Sequence, residues 1–337
     1  MANERSMNEG QDRHADVTVL LCTWNRARLL GETLDSLARM QVPSELRWEV
    51  LVVDNNSTDD TADVVHGRAS SFPAPLRYLF ERRQGKSCAM NAGIRTSSAP
   101  ILAFADDDVR VDAQWLAAVV GEFGRHPEIS YVGGPVDPIW ESPCPAWFAA
   151  TGNILWGTLA ILDYGVEPFV FEERRRIPLG ANFAVRRALV EAIGDFDPNL
   201  GRNDVETLLG QELPEFFARA RAIDALGRYL PAMRVQHHVP ASRLRPRYFR
   251  RWWYGKGISR ARLEARHPIT ELGLDLRTVA TIAGVPRFLF GSAVRDAARW
   301  LKAAARFDRG GRFAAETQLC YFYGQLRERL RHARSAA

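Results

Sequence analysis

The sequence lacks any uncharged apolar run of about 18 residues or more, which is what a membrane-spanning helix requires. The longest candidate, residues 278–294, is interrupted by Pro286 and Arg287. Residues 1–16 are polar and lack the apolar segment of a secretory signal peptide, so we expect them to be disordered. The 4 cysteines show no paired spacing, which argues against a disulfide framework or a cysteine zinc site. These absences predict a cytoplasmic protein with reduced thiols.

Lysine is nearly absent, so arginine carries most of the positive charge. The net charge of +5 conceals an asymmetry, because residues 241–337 contain 21 Lys and Arg against 7 Asp and Glu. That segment therefore has a net charge of +14, which leaves −9 for residues 1–240. A basic segment attached to an acidic body indicates an anionic partner: a membrane surface, a nucleic acid or a charged polymer.

Strand and helix patterns alternate along the first part of the chain. Apolar runs predict buried strands at 17–22, 48–53, 76–80, 101–105 and 129–132. Apolar residues at helical spacing predict helices between them, at 28–40, 87–96 and 111–123. This alternation predicts an α/β fold with a mostly parallel central sheet that helices cover on both faces.

Polar segments follow three of the predicted strands, at the sheet edge where α/β proteins bind ligands. They are residues 23–26, residues 54–60 and the triplet Asp106-Asp107-Asp108. Three adjacent carboxylates repel one another, and a divalent cation relieves that repulsion. Oxygen ligands favour Mg²⁺ or Mn²⁺, which also bind substrate phosphates. The alternative is a solvated acidic turn that caps the following helix.

Other residues near this edge are candidate ligands. Asp54 can accept a hydrogen bond from a nucleobase or a ribose, or it can shape a turn. Lys86 begins a predicted helix and can contact a phosphate. His237 and His238 are adjacent on a predicted strand, so they point to opposite faces and at most one of them reaches the site.

In their order along the chain, these motifs resemble those of the family 2 glycosyltransferases, which have the GT-A fold. The resemblance covers residues 17–240 and implies a GT-A domain there. Beyond it, the residues themselves predict a helical basic region over residues 241–337. It rests on the segments VTVLLCTWNRARLL, VLVVDNNSTDDT, GKSCAMNAGI, ILAFADDDV, GANFAVRRALVEAIGDFD and VQHHV.

The resemblance also implies roles for individual residues. The aspartate triplet lies where the family has its Asp-x-Asp metal motif, and the implied metal ligands are Asp106, Asp108 and His238. Asp107 serves either the metal or the ribose. The residues that the resemblance, together with the analysis above, assigns to the nucleotide sugar are Thr23, Asn25, Arg26, Asp54, Lys86, Asp106, Asp107 and Asn182.

The family usually has an acidic pair that supplies the catalytic base, and the corresponding position here reads Gln211-Glu212. The base is therefore expected to be Glu212, with Asp204 and Glu206 as alternatives. The implied reaction is an inverting transfer from a nucleotide sugar, with UDP the expected nucleotide, to a hydroxyl of a glycan or lipid-linked acceptor. Mg²⁺ or Mn²⁺ is the expected cofactor. Two alternatives are a nucleotidyltransferase that acts on sugar phosphates and a non-catalytic protein that binds lipid or nucleic acid.

The basic C-terminal region contains a segment of arginines and aromatic rings, residues 243–254. Such segments lie at membrane interfaces, where rings reach the headgroups and arginines meet anionic lipids. The alternative is that the rings pack on the catalytic domain while the arginines remain in water. Because the resembled enzymes often use lipid-linked acceptors, we expect peripheral contact with the inner face of the cell membrane, and nucleic acid is not an expected partner.

Overall fold

The computed structural model describes residues 15–149, 155–172, 176–200, 210–268 and 275–336. Most of the segment predicted to be disordered, residues 1–16, lies outside these ranges, as do Asp204 and Glu206. All four cysteines lie inside them, and each is a free thiol in this structure.

Strands and helices alternate in the first half of the chain, as the periodicity predicts. The elements are β1 (Val17–Thr23), α1 (Ala27–Ala38), β2 (Trp48–Asp54), α2 (Thr61–Ala69), β3 (Leu76–Phe80), α3 (Lys86–Thr96), β4 (Ile101–Asp106), β5 (Val109–Val111), α4 (Trp115–Arg125), β6 (Ile129–Gly133) and β7 (Val136–Trp140).

The second half contains short strands and then three long helices. The elements are α5 (Ala146–Ala149), β8 (Phe169–Val170), β9 (Asn182–Arg186), α6 (Arg187–Ile193), α7 (Glu212–Ala222), β10 (Leu226–Tyr229), β11 (Val235–Val239), α8 (Pro246–Arg266), β12 (Thr281–Ile282), β13 (Val285–Pro286), α9 (Arg287–Ala305) and α10 (Arg309–Ala336). In the described ranges, no helix has both the length and the apolar character needed to cross a bilayer.

The central sheet has eight strands in the order β3-β2-β1-β4-β9-β6-β10-β8. The strands β3, β2, β1 and β4 are parallel, whereas β9 runs antiparallel to both of its neighbours. The register pairs Thr23 with Asp54 and Cys22 with Asp106. The ends of β1, β2 and β4 therefore lie level at one edge of the sheet, as the α/β prediction requires.

A second sheet of three strands, in the order β5-β11-β7, lies next to this edge. Its register pairs His237 of β11 with Val109 of β5, directly after the aspartate triplet. Residue 111 was predicted to begin a helix, but the pairing with β11 holds it in a strand, and α4 begins at Trp115. Long-range pairing therefore overrides the local helical pattern at this point.

The C-terminal region packs on the rest of the protein through a second apolar core. Its members come from residues 148–161, from the end of β11 and from α8 and α10; they include Phe148, Leu159, Phe249, Trp253 and Phe313. The indole N–H of Trp253 donates to the Thr158 hydroxyl at 3.1 Å. The packing alternative therefore holds for Phe249 and Trp253, which are buried against this core and are not available to a membrane.

The helices α8 and α10 approach each other closely through two glycines. A Cβ atom built on Gly257 would lie 2.1 Å from the carbonyl oxygen of Tyr321, and one built on Gly324 would lie 2.1 Å from that of Tyr254. Real Cβ atoms do not come so close to a backbone oxygen. The two glycines therefore allow the helix backbones to touch, which fixes the position of α8 relative to α10.

Candidate active site

A cavity of about 280 Å³ opens at the ends of β1 and β4, beside the first residues of α3 and α7. Its lining comes from the strand ends, from residues 157–160 and from the C-terminal region. The residues predicted for the site that line it are Thr23, Arg26, Lys86, Asp106, Asp107, Asp108 and Glu212. The structure therefore brings together residues that are up to 189 positions apart in the sequence, 23 to 212.

Two buried carboxylates converge on one cationic atom at the floor of this cavity. Arg26 donates from Nη1 to Asp107 Oδ1 at 2.7 Å and to Asp108 Oδ2 at 2.8 Å. Asp106 is oriented differently, since its Oδ1 lies 2.5 Å from Lys86 Nζ. Of the triplet, Asp107 and Asp108 thus form a shared cation position, while Asp106 is held by a separate lysine.

The surroundings shift the pKa values of the two buried carboxylates, Asp107 and Asp108, in opposite directions. Burial raises the pKa of Asp107, and Asp108 and Asp106 raise it further against the opposing effect of Arg26. Burial also disfavours the charged form of Asp108, but His237, Arg26 and Arg243 outweigh it and hold the pKa of Asp108 below its ordinary value. The surroundings of Asp108 therefore favour its charged form.

The structure places His237, rather than the predicted His238, next to the aspartates. His237, which is 2% exposed, lines the cavity, and its Nε2 lies 3.4 Å from Asp108 Oδ1. His238, the predicted metal ligand, donates its backbone N–H to the Asp108 carbonyl oxygen at 2.9 Å, and its side chain is not part of the cavity lining. Adjacent strand residues face opposite sides, and the pairing of β11 with β5 decides which one faces the aspartates.

Asn182, a predicted sugar contact, has a structural position instead. It is fully buried at the start of β9, and its Oδ1 accepts from the Trp115 indole N–H at 2.8 Å. Its Nδ2 donates to the carbonyl oxygens of Pro135 and Met233 at 3.0 and 2.6 Å. Because both of its polar atoms are engaged inside the protein and it does not line the cavity, the assignment of Asn182 to the nucleotide sugar is corrected.

Asp54 and Asn25 lie beside the cavity and brace the two loops that follow β1 and β2. Asp54 accepts from the Ser57 backbone N–H at 2.8 Å and from the Tyr78 hydroxyl at 2.7 Å. Asn25 accepts from the Thr58 backbone N–H at 2.7 Å. In this structure both side chains therefore make the contacts of residues that shape a turn. Asn55, in the loop that follows β2, lines the cavity.

Glu212 is the first residue of α7 and is almost completely buried at the cavity wall. Lys86 lies between this carboxylate and the triplet. Burial opposes the charge of Lys86, but Asp106 and Glu212 outweigh that effect and raise its pKa. The lysine therefore remains a cation between two acidic groups, in a position to contact a phosphate.

Sequence reasoning missed the part of the cavity that the C-terminal region contributes. Arg243, Tyr248 and Trp252 line it together with residues 157–160. Arg243 Nη1 lies 3.5 Å from His237 Nε2, which links the basic segment to the aspartates. The signal is the mixture of arginines and rings over residues 243–254, which predicts either a membrane surface or packing on the rest of the protein, but not a part of the cavity.

We expect Asn182→Ala to lower the free energy of unfolding by about 3 kcal/mol, because it leaves a buried indole N–H and two buried carbonyl groups without partners. Urea denaturation measures this. The exposed Asn199 is the control, and Asn199→Ala should change stability by less than about 0.5 kcal/mol. If Asn182→Ala had unchanged stability but bound the nucleotide sugar more weakly, Asn182 would be a contact of the nucleotide sugar and the structural role would be contradicted.

Comparison with known proteins agrees with this fold. The family model described as "Glycosyl transferase family 2" matches residues 18–194, which is more than half of the 337 residues. The succinoglycan biosynthesis protein ExoM of Rhizobium meliloti (strain 1021) is 28% identical over 253 residues, 75% of each chain. The glucosyl-dolichyl phosphate glucuronosyltransferase of Haloferax volcanii is 26% identical over 201 residues, which are 59% of this chain and 61% of that protein.

Two solved structures share the fold at low sequence identity. The mannosyltransferase PcManGT from Pyrobaculum calidifontis, in complex with GDP-Man and Mn²⁺, superposes with a TM-score of 0.60 at 19% identity over 94% of this chain and 88% of that one. GalNAc-T7 with UDP, GalNAc and Mn²⁺ superposes with a TM-score of 0.52 at 17% identity over 76% of this chain and 51% of that one. The chain therefore belongs to glycosyl transferase family 2 and is a glycosyltransferase with a GT-A fold.

Proposed function

We propose that this glycosyltransferase moves a sugar from a nucleoside-diphosphate sugar to a hydroxyl of a glycan or lipid-linked acceptor, with inversion at the anomeric carbon. The observation that carries the proposal is the convergence of Asp107 and Asp108 on one cation position in a cavity that also holds Lys86. A diphosphate needs positive charge around it, and this cavity supplies it from several directions. UDP remains the predicted nucleotide.

The donor set fits a divalent cation. The oxygens of Asp107 and Asp108 already lie within 2.8 Å of one positively charged nitrogen. Among the residues that the structure describes, no three His, Cys, Asp or Glu side chains form a ligand cluster. Mg²⁺ and Mn²⁺ need only one or two carboxylates when phosphates and water supply the other oxygens. We therefore propose Asp108 and Asp107 as the metal ligands, with Asp106 held by Lys86.

A bound Mg²⁺ or Mn²⁺ would neutralise charge on the departing diphosphate. The residues of the chain would perform the other parts of the reaction. Lys86 and Arg243 would hold the phosphates, and Glu212 would accept the proton of the acceptor hydroxyl as its oxygen bonds to the anomeric carbon. The bond to the diphosphate breaks in the same step, so Glu212 carries the proton until the product leaves.

We propose that the acceptor lies on the wall of the cavity that α8 and residues 157–160 form. This wall contains Tyr248 and Trp252 of α8 and residues 157–160. Aromatic rings provide flat apolar surfaces on which the C–H faces of a sugar ring can pack. The printed names of the two relatives, which refer to succinoglycan and to a dolichyl phosphate, support a glycan or lipid-linked acceptor. A lipid-linked acceptor would place the enzyme at the inner face of the cell membrane.

We expect the wild-type protein to release a nucleoside diphosphate from a nucleotide sugar in the presence of Mn²⁺, and EDTA to stop the release. Asp108→Asn should lower kcat/KM by about 100-fold or more, because it removes one of the two carboxylates that are proposed to hold the metal. The exposed Asp63 on α2 supplies the control variant Asp63→Asn. Release of pyrophosphate would indicate a nucleotidyltransferase and contradict the proposal.

We expect Glu212→Gln to retain donor affinity and to lose transfer by about 100-fold or more, because the amide cannot accept the proton. Calorimetric titration with the nucleotide sugar and an initial-rate assay separate the two effects. Glu191→Gln, on the exposed side of α6, is the matched control. Full transfer activity of Glu212→Gln would exclude it as the base.

We expect Trp252→Ala to raise the KM for the acceptor by about 10-fold, while donor hydrolysis without acceptor stays unchanged. Trp252→Phe keeps an aromatic surface and should retain most of the acceptor affinity. Initial rates at varied acceptor concentration measure both variants. An equal loss of donor hydrolysis in Trp252→Ala would argue against an acceptor role for this wall.

A further inference from the structure

The helix α9 packs on the protein along one side only. Of its 19 residues, Leu289 and Ala303 are the buried ones. Phe290 makes an edge-on contact with Phe322 of α10, with ring centroids 5.6 Å apart. This helix is therefore attached through α10, and its other side is in contact with solvent.

The solvent side of α9 is apolar. Val294 is 70% exposed and Leu301 is 63% exposed, and since they are seven residues apart they lie on the same helix face. Phe307, two residues after the end of the helix, is 90% exposed and has the highest exposed fraction among the large hydrophobic residues of the described chain. We call the face formed by Val294, Ala297, Ala298, Leu301 and Ala305 the apolar stripe; all five residues are exposed.

A row of cations flanks the apolar stripe. Arg295 and Lys302 each follow a stripe residue by one position, which places both about 100° around the helix from the stripe. Arg306 continues the row, and all three side chains are exposed. Residues 287–309 contain 6 Lys and Arg against 2 Asp and Glu, so their net charge is +4. One of these acids, Asp296, pairs with Arg299 at 3.0 Å.

We propose that the apolar stripe and its cationic row bind an anionic lipid bilayer. In this arrangement Val294, Leu301 and Phe307 would enter the boundary between headgroups and acyl chains, and the cations would meet lipid phosphates. The surface differs from residues 243–254, whose rings are used by the second apolar core and by the cavity wall. The proposal does not depend on the donor or acceptor assigned above.

Two other occupants fit the surface less well. Single-stranded nucleic acid is bound through aromatic rings on which bases stack, whereas the apolar stripe consists of Val, Leu and Ala. A second copy of the chain would need about 800 Å² on each partner. The helix is about 28 Å long, so a stripe about 10 Å wide offers about 300 Å². Two copies would also bring rows of like charge together.

The test uses the full-length protein and sedimentation with large unilamellar vesicles. One set contains phosphatidylglycerol and phosphatidylcholine in equal parts, and the other contains phosphatidylcholine alone. We expect binding to the anionic vesicles that weakens as salt is added. The double variant Val294→Glu with Leu301→Glu should reduce binding by about tenfold or more, and so should Arg295→Gln with Lys302→Gln.

The matched control is Val166→Glu, because Val166 is 81% exposed at a site on the catalytic domain away from α9. It should bind vesicles like the wild type. Thermal unfolding of each variant checks that the fold is intact, which is expected because all substituted side chains are exposed. Equal binding of the α9 variants and the wild type would overturn the proposal. So would a change in oligomeric mass of the Val294/Leu301 variant, or binding of a single-stranded oligonucleotide that these substitutions abolish while vesicle binding persists.

Discussion

The site depends on the neutralisation of two adjacent buried carboxylates. Asp107 and Asp108 repel each other, and burial makes the repulsion stronger because little water screens it. Arg26, His237 and Arg243 surround them, and each comes from a different part of the chain: the loop after β1, the strand β11 and the C-terminal region. The negative charges of the two aspartates are balanced when these three parts of the chain are in place. Folding of the chain and assembly of the site are therefore linked.

The same arrangement makes the C-terminal region a part of the cavity. The helix α8 presents Tyr248 and Trp252 to the cavity, and its Ser259 hydroxyl accepts the backbone N–H of Gly210 at 3.3 Å, two residues before Glu212. The close contact of Gly257 with α10 holds α8 in that position. The basic side chains of this region therefore lie in at least two places. Arg243 faces the aspartates, and the cations of α9 lie on its solvent side.

Some features followed directly from local patterns. The alternation of strands and helices and the position of Asp106 at a strand end could be read from the sequence, because a buried parallel strand is an apolar run that ends where its side chains become polar. Other features could not. The choice of His237 over His238 depends on the register with β5, and the burial of Asn182 depends on β9 lying between β4 and β6, against the direction of both.

The sequence by itself determined the fold class, the three polar strand ends and the asymmetry of charge, because periodicity and composition are properties of neighbouring residues. The tertiary structure decided which member of an adjacent pair faces the cavity, whether Trp253 is covered or exposed, and which helix keeps an uncovered apolar face. These outcomes depend on contacts between different segments of the chain, such as Phe290 with Phe322, Trp253 with Thr158 and His237 with Val109. A local pattern does not encode such contacts. The hydrophobic periodicity of a segment shows that one of its faces is buried, but not which other segment covers that face.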